Sequence, residues 1–228
     1  MVIAREIKKN GDSLRFDTLP KATLRALQKC SKISFFSRNK WYLAGGTALT
    51  LQGGHRKSVD LDFFTEQKNF DEKKIEKLMH DQGKWVTTSL SQGTLYGEFL
   101  GAKMSFIAYP FFIPSTLTQK YGTITIMAPS DIAVMKIMAI SQRGKKRDFF
   151  DLYWICQNIE SLSEIIARIH TQYTMHQNLI HILKSLVYFE DAESDPEPEI
   201  YFNANWETVK NFFITEIPII TYKLLKLK

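Results

Sequence analysis

The chain has 228 residues, 44% apolar and 24% charged, with a formal net charge of +6. That length suits one ordinary domain or two small ones, and no apolar run is long enough for a bilayer span. Residues Met1 to Glu6 lack the apolar core of a signal peptide, and two cysteines, Cys30 and Cys156, are too few for a disulfide scaffold, so the expectation is a cytoplasmic protein without a membrane role.

In chain order, residues 21–36 predict a helix with Leu24, Leu27, Ile33 and Phe36 inward. Residues 41–44 read as a short strand running into Gly45-Gly46, 47–52 as a helix ended by Gly53-Gly54, and 59–64 as a second strand. Residues 70–80 form a lysine-rich amphipathic pattern with Ile75, Leu78 and Met79 on one face. Three segments, 85–90, 94–100 and 103–109, are rich in β-branched and aromatic residues. Ser91-Gln92-Gly93 and Gly101-Ala102 separate them, which predicts an antiparallel meander, with a further strand over 121–127. Pro129-Ser130-Asp131 opens a helix to residue 142. Helices follow at 147–157, 161–171, 175–189 and 204–226, the last expected to be interrupted by Pro218. The fold class is therefore α+β: a mixed sheet flanked by helices over 1–128, then a C-terminal helical bundle over 129–228.

Residues 190–199 hold six acids and no base, and read as a loop or linker. Outside them the positive excess doubles, which favours a polyanionic partner such as a nucleotide, an RNA or an acidic protein.

Asp60 and Asp62 are two apart on a predicted strand, so their side chains share a face. Val59, Leu61, Phe63 and Phe64 make that strand too apolar for a free surface, and buried carboxylates need a partner or a metal. Such a pair suits Mg2+ or Mn2+ completed by substrate phosphates. Gly45 and Gly46 precede a helix whose N–H groups can cradle phosphate, and Thr47 adds a hydroxyl. Arg56, with Lys57 and Ser58, precedes the carboxylate strand and either meets a phosphate or pairs with Asp60 or Asp62; His55 reads as a loop residue. Lys136 and Arg143, seven apart, share a helix face. Asp148 and Asp151 lie three apart beside Arg147, placed either to orient Lys136 or Arg143, to bind a metal or nucleoside hydroxyls, or simply to favour a helix N-terminus.

The string Leu43-Ala44-Gly45-Gly46-Thr47, followed by Asp60-Leu61-Asp62-Phe63, resembles the first motif of the polymerase-beta-like nucleotidyltransferase superfamily. With Lys136 and the block Arg147-Asp148-Phe149-Phe150-Asp151-Leu152, it looks like the AbiEii/AbiGii toxin branch; the two blocks cover roughly residues 40–155. The resemblance implies transfer of a nucleotide from an Mg-NTP to an RNA, with tRNA acceptor ends among the targets, or to a protein. It also implies a toxin role in a toxin–antitoxin or phage-defence pair with a cognate antitoxin. Asp60 and Asp62 would hold the metal, with Lys136, Asp148 and Asp151 also catalytic; Gly45, Gly46, Thr47, Arg56, Ser58, Arg143 and Arg147 would bind the nucleotide. The superfamily's third carboxylate is expected on the strand around Lys103–Ile107, where this chain has Ser105, with Glu98 on the adjacent strand as a substitute. The alternatives are a catalytically impaired nucleotide- or RNA-binding protein on the same fold, or an interaction module using the acidic stretch.

Overall fold

A computed structural model describes residues 14–115 and 117–225; the Met1 to Glu6 reading lies outside them. Helix α1 (Lys21–Cys30) and the short α2 (Phe35–Arg38) lead to strand β1 (Tyr42–Ala44) and helix α3 (Gly45–Gly53). Strand β2 (Leu61–Thr65) and helix α4 (Glu72–Gln82) follow, then the meander β3 (Trp85–Ser91), β4 (Thr94–Phe99) and β5 (Ala102–Ala108). The hairpin β6 (Leu117–Tyr121) and β7 (Ile124–Met127) precedes α5 (Pro129–Arg143), α6 (Lys146–Asn158), α7 (Leu162–Gln172), α8 (Leu179–Ser185), α9 (Glu190–Glu193) and α10 (Trp206–Leu225).

The seven strands form one mixed sheet in the order β3-β4-β5-β2-β1-β7-β6. β1 runs antiparallel to β2 and parallel to β7, and β2 runs parallel to β5. Strand alternation divides β2 between two environments. Phe63 turns into an aromatic cluster with Phe36 and Phe106, their ring centroids 4.5 and 5.7 Å from its own, while Asp62 and Phe64 turn to the opposite face. One continuous buried cluster runs from Leu19 to Ile220, taking in Phe149, Phe150 and Leu152 of α6.

Five expectations differ from what forms. The helix over 21–36 is broken after Cys30, where the chain turns at Ser31 and Lys32 before α2. The strand over 121–127 is a hairpin, because Gly122 adopts φ +59° and folds the chain back. Only Leu179–Ser185 of the helix over 175–189 is regular, capped by the Asn178 side chain accepting from His181 N–H. Pro218 does not interrupt α10: the helix runs unbroken from Trp206 to Leu225, with Pro218 on its exposed side. Residues 190–199 are docked as well. Asp195 accepts from Lys146 N–H and Lys145 Nζ, Glu193 accepts from Lys210 Nζ and Trp206 Nε1, and Ala192 is buried. These acids are spent on lysines of the same chain.

Candidate functional site

Ala44 ends β1 opposite Asp62 on β2, and the chain enters α3 at once through Gly45 at φ +70°. A side chain at Gly45 would be strained, and its Cβ would stand 3.0 Å from Asp62 Oδ2. Ala44 occupies the N-cap and supplies no side-chain hydrogen bond. Helix N-termini expose unpaired N–H donors, and alanine is a poor cap, so α3 presents its positive end to the carboxylates.

Asp62 accepts a 2.6 Å hydrogen bond from Ser105 Oγ, its register partner on β5. Burial raises the Asp62 carboxyl above its ordinary value; the Ser105 hydroxyl opposes the rise and the like charge of Asp60 adds to it. Asp60 is 3.5 Å from Arg147 Nη1 through Oδ2, while its Oδ1 is buried with no hydrogen-bond partner among the described residues. Thr47 is buried rather than open to a ligand. Its hydroxyl bonds the Asp60 carbonyl and lies 2.9 Å from Ser58 Oγ, fixing the backbone that carries the carboxylates.

Behind this pair lies a buried ionic network. Asp151, fully buried, accepts from Arg56 Nε at 2.6 Å and Nη2 at 2.9 Å, faces His55 Nε2 at 2.6 Å, and pairs with Lys136 Nζ at 2.6 Å. Asp148, equally buried, takes Lys136 Nζ at 2.6 Å and Arg143 Nε at 3.0 Å. Burial would raise the Asp151 carboxyl, yet Arg56 and Lys136 hold it well below the usual carboxylate range. Arg56 thus pairs with Asp151 and not with Asp60 or Asp62, and His55 is a buried member of the network, its ring 4.9 Å from that of Trp154. Asp148 therefore holds Lys136 and Arg143, and Asp151 holds Lys136, Arg56 and His55.

A cavity of about 690 Å³ brings together Gly45, Gly46, Arg56, Ser58, Asp60, Asp62, Lys136, Arg143 and Arg147. Thr47, Asp148 and Asp151 stand behind its wall. Ser105, Lys103, Glu98 and Tyr96 line it from the sheet, and Ile132, Met135 and Ala139 from α5. Ile132, Met135, Lys136, Ala139 and Arg143 recur at helical spacing, a signal present in the sequence but read only for Lys136 and Arg143. Glu98 does reach this cavity, opposite Lys103 in the β4–β5 register.

The family of the nucleotidyl transferase AbiEii toxin, of type IV toxin–antitoxin systems, matches residues 31–84 and 104–219. An uncharacterized protein of Aquifex aeolicus (strain VF5), aq_aa25, is 38% identical over 199 residues, covering 86% of this chain and 94% of that protein. Among solved structures, the nucleotidyltransferase toxin MenT4 of Mycobacterium tuberculosis H37Rv aligns with a TM-score of 0.48 at 14% identity, over 87% of this chain and 86% of that one. The Megavirus polyadenylate synthase aligns with a TM-score of 0.39 at 16% identity, over 58% and 31%. The chain is a nucleotidyltransferase, an assignment that rests on the sequence match. It belongs to the AbiEii toxin family.

Proposed function

We propose that the chain transfers a nucleotide from an Mg-NTP to a hydroxyl of an RNA acceptor, with transfer RNA the first candidate, as the toxin beside a cognate antitoxin in the cytoplasm. One observation carries the reading: two adjacent carboxylates, one with an unpartnered buried oxygen, beside an uncapped helix N-terminus in a cavity rimmed by Arg143 and Arg147.

The donor set fits a divalent ion. Asp60 and Asp62 are both hard oxygen ligands, their mutual repulsion favours an added cation, and Mg2+ is commonly held by one or two carboxylates with substrate phosphates and water. Among the described residues no cluster of three or more His, Cys, Asp or Glu side chains is disposed to hold a metal. When bound, Mg2+ or Mn2+ supplies charge neutralisation at the phosphates and lowers the pKa of a hydroxyl near it. The protein's own contribution is positioning. The N–H groups at Gly45 and Gly46 meet phosphate oxygens. Lys136, Arg143 and Arg147 offset charge on the transferred group and leaving pyrophosphate, and Asp148 and Asp151 hold Lys136 and Arg143 in place. Thr47 fixes the Asp60 backbone. The attacking oxygen belongs to the acceptor, so no protein nucleophile is needed.

Incubation with each labelled NTP, Mg2+ and a transfer-RNA pool is expected to label RNA, and Asp60→Ala to abolish labelling. Absence of transfer with all four NTPs and with RNA would favour the second reading, a nucleotide or RNA binder without turnover, which Ser105 in place of a third acid supports.

A further inference from the structure

We infer that the exposed face of α1 is a phosphate-backbone track that guides the RNA acceptor to the cavity; this rests on the transfer reading above. Lys21, Arg25 and Lys29 recur every fourth residue along α1, all exposed, and Lys32 continues the line just beyond the helix. At 1.5 Å per residue their stems rise about 6 Å apart, in a single row. Among the described residues none of the four makes an ion pair, whereas Lys57, Lys145, Lys210 and Arg168 are each tied to a carboxylate. A row of unneutralised cations is complementary to a polyphosphate backbone.

The row is joined to the site. The Thr23 hydroxyl donates to the Val59 carbonyl at 2.8 Å, pinning α1 to the residue before Asp60. Gly101, in the β4–β5 turn, passes so close to α1 that an added Cβ would lie 3.6 Å from Ala22 Cβ. Arg25, Lys84 and Glu98 line one hollow beside that turn, and Glu98 also lines the candidate cavity, opposite Lys103 in the β4–β5 register. Arg25, Lys84 and Lys103 thus continue the α1 row around the sheet to the cavity rim. One feature favours a nucleic acid over an acidic protein: the even spacing of unneutralised charge along α1, which matches a repeating phosphate backbone.

The test uses the full chain and a fluorescent transfer-RNA pool. Lys21→Gln/Arg25→Gln/Lys29→Gln is expected to weaken binding at least tenfold and to reduce the slope of log K against log salt by about 2 to 3, the loss of three phosphate contacts. Mg-NTP binding, read by thermal shift, is expected to stay unchanged. A control with the same charge loss on α4, Lys73→Gln/Lys74→Gln/Lys77→Gln, is expected to bind RNA within about twofold of wild type. Equal loss in both variants, or no loss in the α1 variant, overturns the track, as does a wild-type chain that binds poly-glutamate in preference to RNA. The two proposals fail separately. A wild type that binds RNA through α1 but transfers no label sinks the transfer reading alone; label transfer with an unchanged RNA KM in the α1 variant sinks the track alone.

Discussion

Lys136 is the residue whose loss the structure makes most costly. It is 7% exposed and neutralises two carboxylates that are wholly buried. Lys136→Met should destabilise the fold by about 3–5 kcal/mol, because removing one partner leaves uncompensated buried charge; urea unfolding measures it. The same network sets the acid response. Burial holds His55 below its ordinary 6.5, so the unfolded chain binds a proton that the fold refuses, and stability falls as pH drops below about that value. Asp151, held well below 3.8, adds a second loss below 3.8, where the unfolded chain takes up a proton first. Asp62 works in the opposite sense. Its folded pKa is raised, so the fold keeps a proton the unfolded chain has lost, and stability falls as pH rises above 3.8 toward the folded value. Melting temperatures should therefore rise less steeply from acid to neutral pH in His55→Gln than in wild type, and Mg2+ should raise the neutral-pH value in wild type but not in Asp62→Asn.

Among the elements, α3 and α10 give contrasting glycine and proline tests. Gly45→Ala places a Cβ at φ +70° and against Asp62, so a loss of about 1–2 kcal/mol in stability with a much larger loss of transfer is expected. Pro218→Ala restores a helical N–H at an exposed site of α10 and should raise stability by about 1–3 kcal/mol with transfer unchanged, as melts and labelling assays would report. The elements themselves were largely legible. Strand alternation around Asp62, the glycines flanking α3 and the Pro129 start of α5 each carry a local steric rule that the fold obeys. What escaped was tertiary. Nothing local in His55-Arg56 reveals that both point at Asp151, some 95 residues along the chain. The acidic stretch 190–199 looks like a solvated linker until Asp195 is seen against Lys145 and the Lys146 N–H, and Glu193 against Lys210. A local rule breaks α10 at Pro218, but the burial of Ile217 and Ile220 on either side of it outweighs one lost hydrogen bond.

At the scale of the whole molecule, the sheet and the helices after Ala128 share one buried cluster and one ionic network. A fragment ending at residue 128 keeps His55 and Arg56 but loses Asp151, and exposes the α3 face that α5 and α6 cover. It should remain unfolded by circular dichroism and proton NMR dispersion, and adding residues 129–228 in trans is the control that could restore it. The sharing of Asp151 by Arg56, ahead of the sheet's central strand β2, and Lys136, on α5, has a kinetic consequence. Swinging the two halves apart would strip a carboxylate of its partners in a dry interior, a cost of several kcal/mol, so separation of the sheet from the helices after Ala128 is expected to be rare and slow. Native-state hydrogen exchange should then show the protected amides of β2 and α5 opening together rather than one before the other.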